Sequence, residues 1–258
     1  MKITTISSAS NEKIKLLKKL QKKSVRDETG QFVVENLVII HDAVTAGFKP
    51  TSLFVTQAMM NSTDKKLQLI LKNCNDIFLI NEKVNKSFST LTTPAGLAAI
   101  FTKPTSEIIF DKHIVYCNAI SDPGNLGAIL RTAVAFAIKN IVVDENCADV
   151  YNPKTISAAK DAIFKVNIAH DTNLTIFKKI KNSLPIYATD TAGKTNFKTV
   201  ITGKPFCLVL GNEANGVSKN ILKQADALIS INMSDNIESL NVAVSAGIIM
   251  QAIWERTA

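Results

Sequence analysis

The sequence predicts an α/β protein of two domains, and the larger C-terminal domain is expected to hold a mostly parallel sheet with helices on both faces. Short apolar, strand-like runs alternate with helical segments along the chain, as they do in parallel sheets that are covered by helices. A polar stretch with a proline, residues 102–107, separates two such series. We therefore expect a smaller α/β domain at residues 1–104 and a larger α/β domain at residues 110–258.

The hydrophobic spacing predicts the elements of each domain in order. In the first domain we expect helices at residues 10–23, 36–46 and 63–73, and strands at residues 31–34, 52–55, 77–80 and 98–101. In the second domain we expect strands at residues 113–119, 140–143, 185–189, 206–210 and 227–231. Helices are expected between and after these strands, and the last one spans residues 240–255.

The first helix of the second domain has two different faces. One face is an apolar stripe at helical spacing, made of Leu126, Ile129, Leu130, Ala133, Val134 and Ala137. The other face carries small residues at positions where a surface helix would carry charged ones. These residues are Gly127, Ala128, Thr132 and Ala135. The C-terminal helix is apolar nearly all round. A second subunit is one candidate for what covers both helices, which predicts a homodimer.

The composition is that of an ordinary globular protein. Hydrophobic residues make up 46% of the 258 residues and charged residues 20%, which argues against disorder. The N-terminus lacks the apolar stretch of a secretory signal, and the longest apolar-rich run, residues 242–254, is shorter than the roughly 20 residues that span a bilayer. None of the four cysteines forms a CxxC motif, and two of them, Cys117 and Cys207, lie inside apolar runs. We expect a reduced, cytoplasmic protein without a zinc site.

The net charge of +8 is concentrated at the N-terminus. Residues 1–26 contain eight basic residues and one acid, Glu12, so they carry +7 and the rest of the chain carries +1. Phosphate backbones attract such a segment through its long-range field and through counterion release. A solvated helix face with snorkelling lysines explains the same pattern. A mitochondrial presequence is a third interpretation, and Glu12, Asp27 and Glu28 argue against it.

Three stretches of the second domain join an apolar run to a helix through Gly, Asn and Ser. They are motif 1 (residues 122–133), motif 2 (residues 208–218) and motif 3 (residues 231–243). Because ligands of open α/β sheets bind at the carboxyl ends of the strands, three such junctions suggest one composite site.

Commoner glycine-rich sites fit these motifs poorly. Gly211 and Gly216 are spaced as at the start of a P-loop, but Val217 stands before Ser218 where the phosphate-binding lysine is required. The glycines of motif 1 lack the GxGxxG spacing of a dinucleotide fold. Nucleotide hydrolysis and hydride transfer are therefore disfavoured. The three histidines are isolated in the sequence, so we expect structural roles and no metal for His41, His113 and His170.

The three motifs together, in this order and at this spacing, resemble the SpoU (TrmH) family of RNA ribose 2′-O-methyltransferases in the SPOUT superfamily. The resemblance runs from residue 114 to residue 254 and includes residues 147–154, which join the first two motifs. More weakly, Arg26, Gly30-Gln-Phe32 and Phe32-Val-Val-Glu35 resemble the family's N-terminal domain, a small α/β fold that binds the substrate RNA.

The resemblance implies S-adenosylmethionine as methyl donor, a homodimer, and a deep C-terminal trefoil knot. Such knots are rare, and hydrophobic periodicity does not predict them. By the resemblance, backbone groups of the knot loops hold the cofactor at Gly211, Ile231 and Leu240, and Thr189 lines the adenine pocket. A glycine at position 211 lets the backbone approach a ligand closely, and Ile231 and Leu240 offer apolar walls.

Five polar residues match the family's functional positions: Asn125, Arg131, Glu213, Ser239 and Asn241. We expect Arg131 to meet the ribose and its phosphate as a fixed cation, because arginine stays protonated in proteins. Glu213 is expected to hold Arg131 or Asn125, and Ser239 and Asn241 to hydrogen-bond in motif 3. Purely structural roles are the alternative. Asn125 and Ser239 suit helix N-caps, and Arg131 suits an ion pair with Glu213.

Three positions depart from the family's pattern, namely Asn36 and Asp161, where glycines are common, and Asn232, where a proline is common. They leave loop conformation and the choice of RNA open.

Two functions compete at this point. One is 2′-O-methylation of RNA, in either a housekeeping or an antibiotic-resistance role. For this function, resemblance to family members with an N-terminal domain of this size implies ribosomal RNA in preference to transfer RNA. The other is a non-catalytic RNA-binding or ribosome-assembly protein on the same fold.

Overall fold

A computed structural model describes residues 2–234 and 236–257. The chain forms two compact units. The first comprises residues 2–104 together with Tyr151–Ile156, and the second comprises Thr105–Val150 together with residues 157–257. Within the first unit the ring of Tyr151 packs on Phe32 at 4.7 Å between centroids, and Lys103 Nζ lies 5.1 Å from the Tyr151 ring centre. Residues 151–156 were expected in the second domain, because hydrophobic spacing does not indicate that they belong to the first unit.

The first unit is a mixed sheet with six helices. Its strands are β1 (Lys2–Ile6), β2 (Gln31–Val34), β3 (Ser52–Thr56), β4 (Asp76–Ile80) and β5 (Leu97–Thr102). Its helices are α1 (Glu12–Lys19), α2 (Lys23–Thr29), α3 (Leu37–Thr45), α4 (Gln57–Met60), α5 (Lys65–Lys72) and α6 (Glu82–Phe88). The strand order is β1-β4-β3-β5-β2, with parallel pairs up to β3 and antiparallel pairs beyond it. The four predicted strands are present, and β1 was not predicted because Lys2, Thr4 and Thr5 leave it without an apolar run or an alternating pattern.

The predicted helix over residues 10–23 is two helices. α1 ends at Lys19, Lys22 is extended, and α2 begins at Lys23. Arg26 explains the break, since it is only 2% exposed and its Nη1 donates to the carbonyl of Leu20 at 2.7 Å. A straight helix would use that carbonyl within its own ladder. Arg26 therefore lies in the core and does not belong to the exposed basic face, which retains Lys13, Lys15, Lys19, Lys22 and Lys23.

The second unit is a parallel sheet with helices. Its strands are β6 (Ile114–Cys117), β7 (Asn140–Asp144), β8 (Asn167–Asp171), β9 (Ile186–Thr189), β10 (Thr195–Asn196), β11 (Cys207–Leu210) and β12 (Ala227–Ser230). Its helices, with α8 reaching back into the first unit, are α7 (Pro123–Ala135), α8 (Pro153–Ala159), α9 (Thr175–Lys181), α10 (Phe197–Val200), α11 (Lys219–Leu222) and α12 (Val242–Thr257), with a 3-10 turn at Lys160–Phe164. The order is β10-β12-β9-β11-β6-β7-β8, and every pair is parallel. The predicted α/β class with a mostly parallel sheet is confirmed, and the knot stays a prediction.

The five predicted strands of this unit are all present, and two strands were missed. β8 lies at the sheet edge and carries Asn, His and Asp, and β10 is two residues long. α7 packs against α12 of the same chain, where a Cβ added to Gly247 would lie 3.9 Å from Thr132 Cγ2. Part of the small face of α7 is therefore covered without a second subunit.

The residues that depart from the family pattern have local roles. Asn36 caps α3, because its Oδ1 accepts from the N–H groups of Val38 at 3.0 Å and Ile39 at 3.1 Å. Asp161 forms an ion pair with Lys165 in the 3-10 turn. Of the predicted structural histidines, His113 accepts from the N–H of Phe206 through Nδ1 at 3.3 Å.

Some features concern only the part of the chain that the structure describes. Within residues 2–234 and 236–257, no helix is long and apolar enough to cross a membrane. In the same residues, no His, Cys, Asp and Glu side chains gather as a group that would hold a metal ion.

The cysteines are free thiols, and burial raises the pKa of each one above its usual value. For Cys147, burial and then the nearby Asp144 carboxylate raise the pKa to about 12 from 9.0. The folded protein keeps these protons while the unfolded chain loses them, so stability is complete below about pH 9 and falls as the pH rises towards 12. Each thiol contributes up to about 1.4 kcal/mol per pH unit in that window.

We therefore expect the urea midpoint to fall between about pH 8.5 and about pH 10.5. Urea unfolding followed by circular dichroism measures it. Cys207→Ala removes one buried titrating thiol and should flatten the decline. A midpoint that is constant or rises with pH would contradict the expectation.

Candidate active site

A cavity of ≈ 460 Å³ lies at the carboxyl ends of β9, β11 and β12. Its walls come from the loops after these three strands and from α12. All four residues expected to hold the cofactor line it, and so do two of the five expected catalytic residues: Thr189, Gly211, Ile231 and Leu240, with Glu213 and Ser239. Motifs 2 and 3, separate in sequence, thus share one cavity.

The motif 2 loop, residues 211–218, is closed by its own backbone. The N–H of Asn212 donates to the carbonyl of Gly216 at 3.0 Å, and the N–H of Gly216 donates back at 2.8 Å. A Cβ added to Gly211 would lie 2.2 Å from the nitrogen of Val217, far inside van der Waals contact. Glycine is therefore required at position 211 by the returning loop itself, and not only by approach to a ligand. Gly216 has a φ of 65°, which glycine adopts without strain.

The three motifs meet through a chain of side-chain hydrogen bonds. Asn125 of motif 1 donates through Nδ2 to Oε1 of Glu213 in motif 2. Asn241 of motif 3 donates through Nδ2 to Oδ1 of Asn125 at 3.0 Å. Glu213 therefore holds Asn125, which is one of the two partners expected for it.

The expected helix caps at Asn125 and Ser239 are wrong. Asp122 caps α7, because its Oδ1 accepts from the N–H of Asn125 at 2.7 Å and Pro123 occupies the first helical position. Asn241 caps α12, since its Oδ1 accepts from the N–H groups of Ala243 at 2.9 Å and Val244 at 3.3 Å. With the cap supplied by Asp122, the side chain of Asn125 is left to bridge the motifs.

Arg131 is not brought to the cavity. Its side chain is exposed on α7, and it is not among the residues that line the cavity. No carboxylate within the described part of the chain forms an ion pair with it, so the alternative of a pair with Glu213 is wrong. A guanidinium in this position is accessible to a ligand that arrives from solvent.

The cavity has an acidic lining. Asp190, Glu213 and Glu238 contribute carboxyl groups, and among the lining residues that the structure describes there is no lysine, arginine or histidine. Val217 and Leu222 join Ile231 and Leu240 as apolar walls. Carboxylates attract a cationic ligand and repel phosphates. The arrangement therefore suits a ligand with a positive centre and a flat apolar group, and it does not suit a nucleoside triphosphate.

Several cavity residues were missed at the level of sequence. Asp190 directly follows β9, and its Oδ1 accepts from the N–H of Ala192 at 2.8 Å. Asn212 shapes the motif 2 loop, accepting from the N–H of Ala214 at 2.8 Å. Ser245 reaches the cavity from α12. For the first two, a polar residue just after an apolar strand was an available signal. For Ser245, inside an apolar helix, no local signal exists.

Comparison with known proteins agrees with this geometry. The sequence model of the SpoU rRNA Methylase family matches residues 112–251, and that of the MRM3-like substrate binding domain matches residues 11–99. The 23S rRNA (guanosine(2553)-2′-O)-methyltransferase RlmP of Bacillus subtilis is 26% identical over 246 residues, which cover 95% of this chain and 97% of the relative.

Two solved structures share the fold. An AdoMet-bound rRNA methyltransferase from Sinorhizobium meliloti superposes with a TM-score of 0.85 at 26% identity and covers 99% of both chains. The SpoU methyltransferase AviRb from Streptomyces viridochromogenes, in complex with AdoMet, superposes with a TM-score of 0.86 at 21% identity, over 95% of this chain and 98% of that one. The predicted resemblance is confirmed, and with it the enzyme class of an RNA methyltransferase. The chain belongs to the SpoU rRNA methylase family.

Proposed function

We propose that the protein methylates a ribose 2′-hydroxyl of ribosomal RNA, with S-adenosylmethionine held in the cavity that motifs 2 and 3 line. The observation that carries this proposal is the convergence of motifs 2 and 3 on one acidic cavity, tied to motif 1 through Asn125. The carboxyl groups of Asp190, Glu213 and Glu238 suit a sulfonium cation. The apolar walls, the backbone of residues 211–217 and the backbone of Ile231 and Leu240 suit an adenine ring.

The bound cofactor supplies an electrophilic methyl group, and the residues of the chain position the acceptor. Asn241, Asn125 and Glu213 fix one another's orientation, so Glu213, which lines the cavity, is held in a set geometry. Arg131 is exposed outside the cavity, so it acts on RNA that has bound: it offers a cation to the RNA phosphate and to the 2′-oxygen, whose proton is released to water as the methyl group is transferred. Positioning of this kind lowers the barrier of a direct displacement by roughly 7–11 kcal/mol in favourable cases.

The basic face of the first unit is the proposed RNA-binding surface. Five lysines of this face are exposed: Lys13, Lys15, Lys19, Lys22 and Lys23. Lys15 also pairs with Glu12 at 2.7 Å. Lys13 Nζ lies 5.8 Å from the Phe78 ring centre. As exposed cations, the five lysines can neutralise phosphates, which adds affinity without sequence preference. The choice of nucleotide then depends on other contacts.

A homodimer is part of the proposal. On α12, Val244 is 50% exposed and Ile248 is 37% exposed, and they lie one turn apart on the same face. Ile237 of motif 3 is 53% exposed. Exposed apolar side chains on one helix face favour burial by a second copy. Sedimentation equilibrium should give twice the chain mass at micromolar concentration, and a stable monomer would contradict this part of the proposal.

The function is tested by mapping ribose methylation in cells that have or lack the gene. The Bacillus subtilis relative is named for guanosine 2553 of 23S rRNA, so the equivalent position is examined first. We expect one 2′-O-methyl group to disappear with the gene and to return with the wild-type gene but not with Arg131→Ala. Unchanged ribosomal RNA methylation would contradict the proposal. Calorimetric titration with S-adenosylmethionine tests the cofactor separately, and absence of binding would favour the non-catalytic alternative.

A further inference from the structure

A buried carboxyl group lies beneath the motif 2 loop, outside the cavity. Asp144 ends β7 and is 8% exposed. Its Oδ1 accepts from the N–H groups of Ala119 and Asn146, both at 3.0 Å. Its Oδ2 accepts from Asn118 Nδ2 at 2.6 Å and from the N–H of Ala119 at 3.1 Å. Asp144 is absent from the described cavity lining, and the proposed chemistry does not use it.

Asn118 links Asp144 to the end of the motif 2 loop through two hydrogen bonds. Its Oδ1 accepts from the N–H of Ser218 at 2.7 Å, while its Nδ2 donates to Asp144. A carboxylate only accepts hydrogen bonds and a backbone N–H only donates, so these two partners allow one orientation of the Asn118 amide. Asn118 is 6% exposed, and water therefore does not replace a lost partner easily.

Ala119 links Asp144 to the start of the motif 2 loop through its backbone N–H and carbonyl groups. It has a φ of 57°, an uncommon conformation for a residue with a side chain, and its N–H is held by Asp144. Its carbonyl accepts from Asn212 Nδ2 at 2.8 Å. The Oδ1 of Asn212 in turn accepts from the N–H of Ala214. One carboxyl group thus reaches both ends of the loop, through Asn212 and through Ser218.

We propose that Asp144, acting through Asn118 and Ala119, is a positioning residue that sets the motif 2 loop and thereby the affinity for S-adenosylmethionine. The inference rests on the proposed function, since it takes the cavity as the cofactor site. If the loop adopts its binding-competent conformation less often, the apparent dissociation constant rises in proportion. Bound enzyme has the loop in place, so its turnover should change little.

The decisive variant is Asp144→Asn. Its new amide meets donors in either orientation, because its NH2 group faces Asn118 Nδ2 in one and the N–H groups of Ala119 and Asn146 in the other. In the first orientation, Asn118 can turn only by placing its own NH2 group against the N–H of Ser218. We expect S-adenosylmethionine to bind at least about tenfold more weakly in calorimetric titration. KM for the cofactor should rise to a similar extent, while kcat at saturation stays within about twofold of wild type.

A swap of the two side chains separates positioning from loss of charge or volume. In Asn118→Asp/Asp144→Asn, the carboxylate at position 118 accepts from Ser218 and from the new amide, whose oxygen still accepts from Ala119 and Asn146. Every donor again faces an acceptor. We expect affinity within about threefold of wild type. If Asp144→Asn alone does not fold, the double variant tests the proposal by itself. A folded double variant that binds S-adenosylmethionine weakly would overturn the proposal.

Asp171→Asn is the matched control. Asp171 is 2% exposed and ends the neighbouring strand β8. It accepts from the hydroxyl of Tyr116 at 3.0 Å and from the N–H groups of Ile176 at 2.8 Å and Phe177 at 2.9 Å, and none of these three hydrogen-bond partners belongs to the motif 2 loop. We expect lower thermal stability and unchanged cofactor affinity. Equal weakening in this control, or normal binding by Asp144→Asn, would overturn the inference. Absence of binding by the wild type would overturn the proposed function instead.

Discussion

Arg131→Ala should lower the kcat of methyl transfer by about two to three orders of magnitude, the size of effect seen when one group that stabilises developing charge is removed. S-adenosylmethionine affinity should stay within about twofold of wild type. Arg131 is exposed, does not line the cavity, and has no ion-pair partner within the described residues. Its truncation therefore disturbs neither the cofactor site nor the packing of α7. Single-turnover methylation of the RNA substrate and calorimetric titration measure the two quantities.

Two further variants show whether charge alone is sufficient. Arg131→Lys keeps the charge but loses the planar fork that binds a phosphate at two points, so an intermediate rate is expected. Lys139→Ala removes an exposed positive charge that closely follows α7 and should leave the rate unchanged. If folded, cofactor-binding Arg131→Ala transfers methyl groups at the wild-type rate, the role proposed for this arginine is wrong.

Gly211→Ala should weaken S-adenosylmethionine binding by at least about a hundredfold, because the loop has to abandon its conformation and not merely populate it less. The added Cβ would lie 2.2 Å from the nitrogen of Val217 and 2.3 Å from the carbonyl carbon of Gly216. These are backbone atoms, so no side-chain rotation relieves the overlap. The sheet itself is not affected, and far-UV circular dichroism should remain close to that of the wild type. Calorimetric titration measures the affinity.

Gly30→Ala is the matched control for this glycine. Gly30 has a φ of +63°, and nothing lies within 4 Å of a Cβ added there. The substitution costs roughly 1–2 kcal/mol of backbone strain in the first unit and should leave cofactor affinity unchanged. Normal binding by Gly211→Ala, with an unchanged melting temperature, would show that the motif 2 loop tolerates a side chain at this position.

The strands that were predictable contain runs of apolar residues. β6, β7 and β11 are buried along their whole lengths, and such strands appear in a sequence as continuous apolar runs. The edge strand β2 keeps the apolar run of residues 32–34 and was predicted, whereas polar residues interrupt the edge strands β1 and β8, which were missed. The break between α1 and α2 was missed for a different reason. A buried Arg26 that binds the carbonyl of Leu20 looks, in sequence, like one more charge on a basic helix.

In the candidate site, too, some features could be predicted from the sequence and others could not. Motifs 1 to 3 can be recognised in the sequence alone, because turn residues and the spacing of hydrophobic residues are properties of residues that are close together in the chain. The partner of Glu213 is not, since Asn125 is 88 positions away and its approach depends on the order of strands in the sheet. The same sheet order places Asp144 beneath a loop that begins 67 residues later. Local patterns thus specify the elements and the loops, while long-range packing selects which polar groups meet, because a hydrogen bond requires its two atoms within about 3 Å of each other.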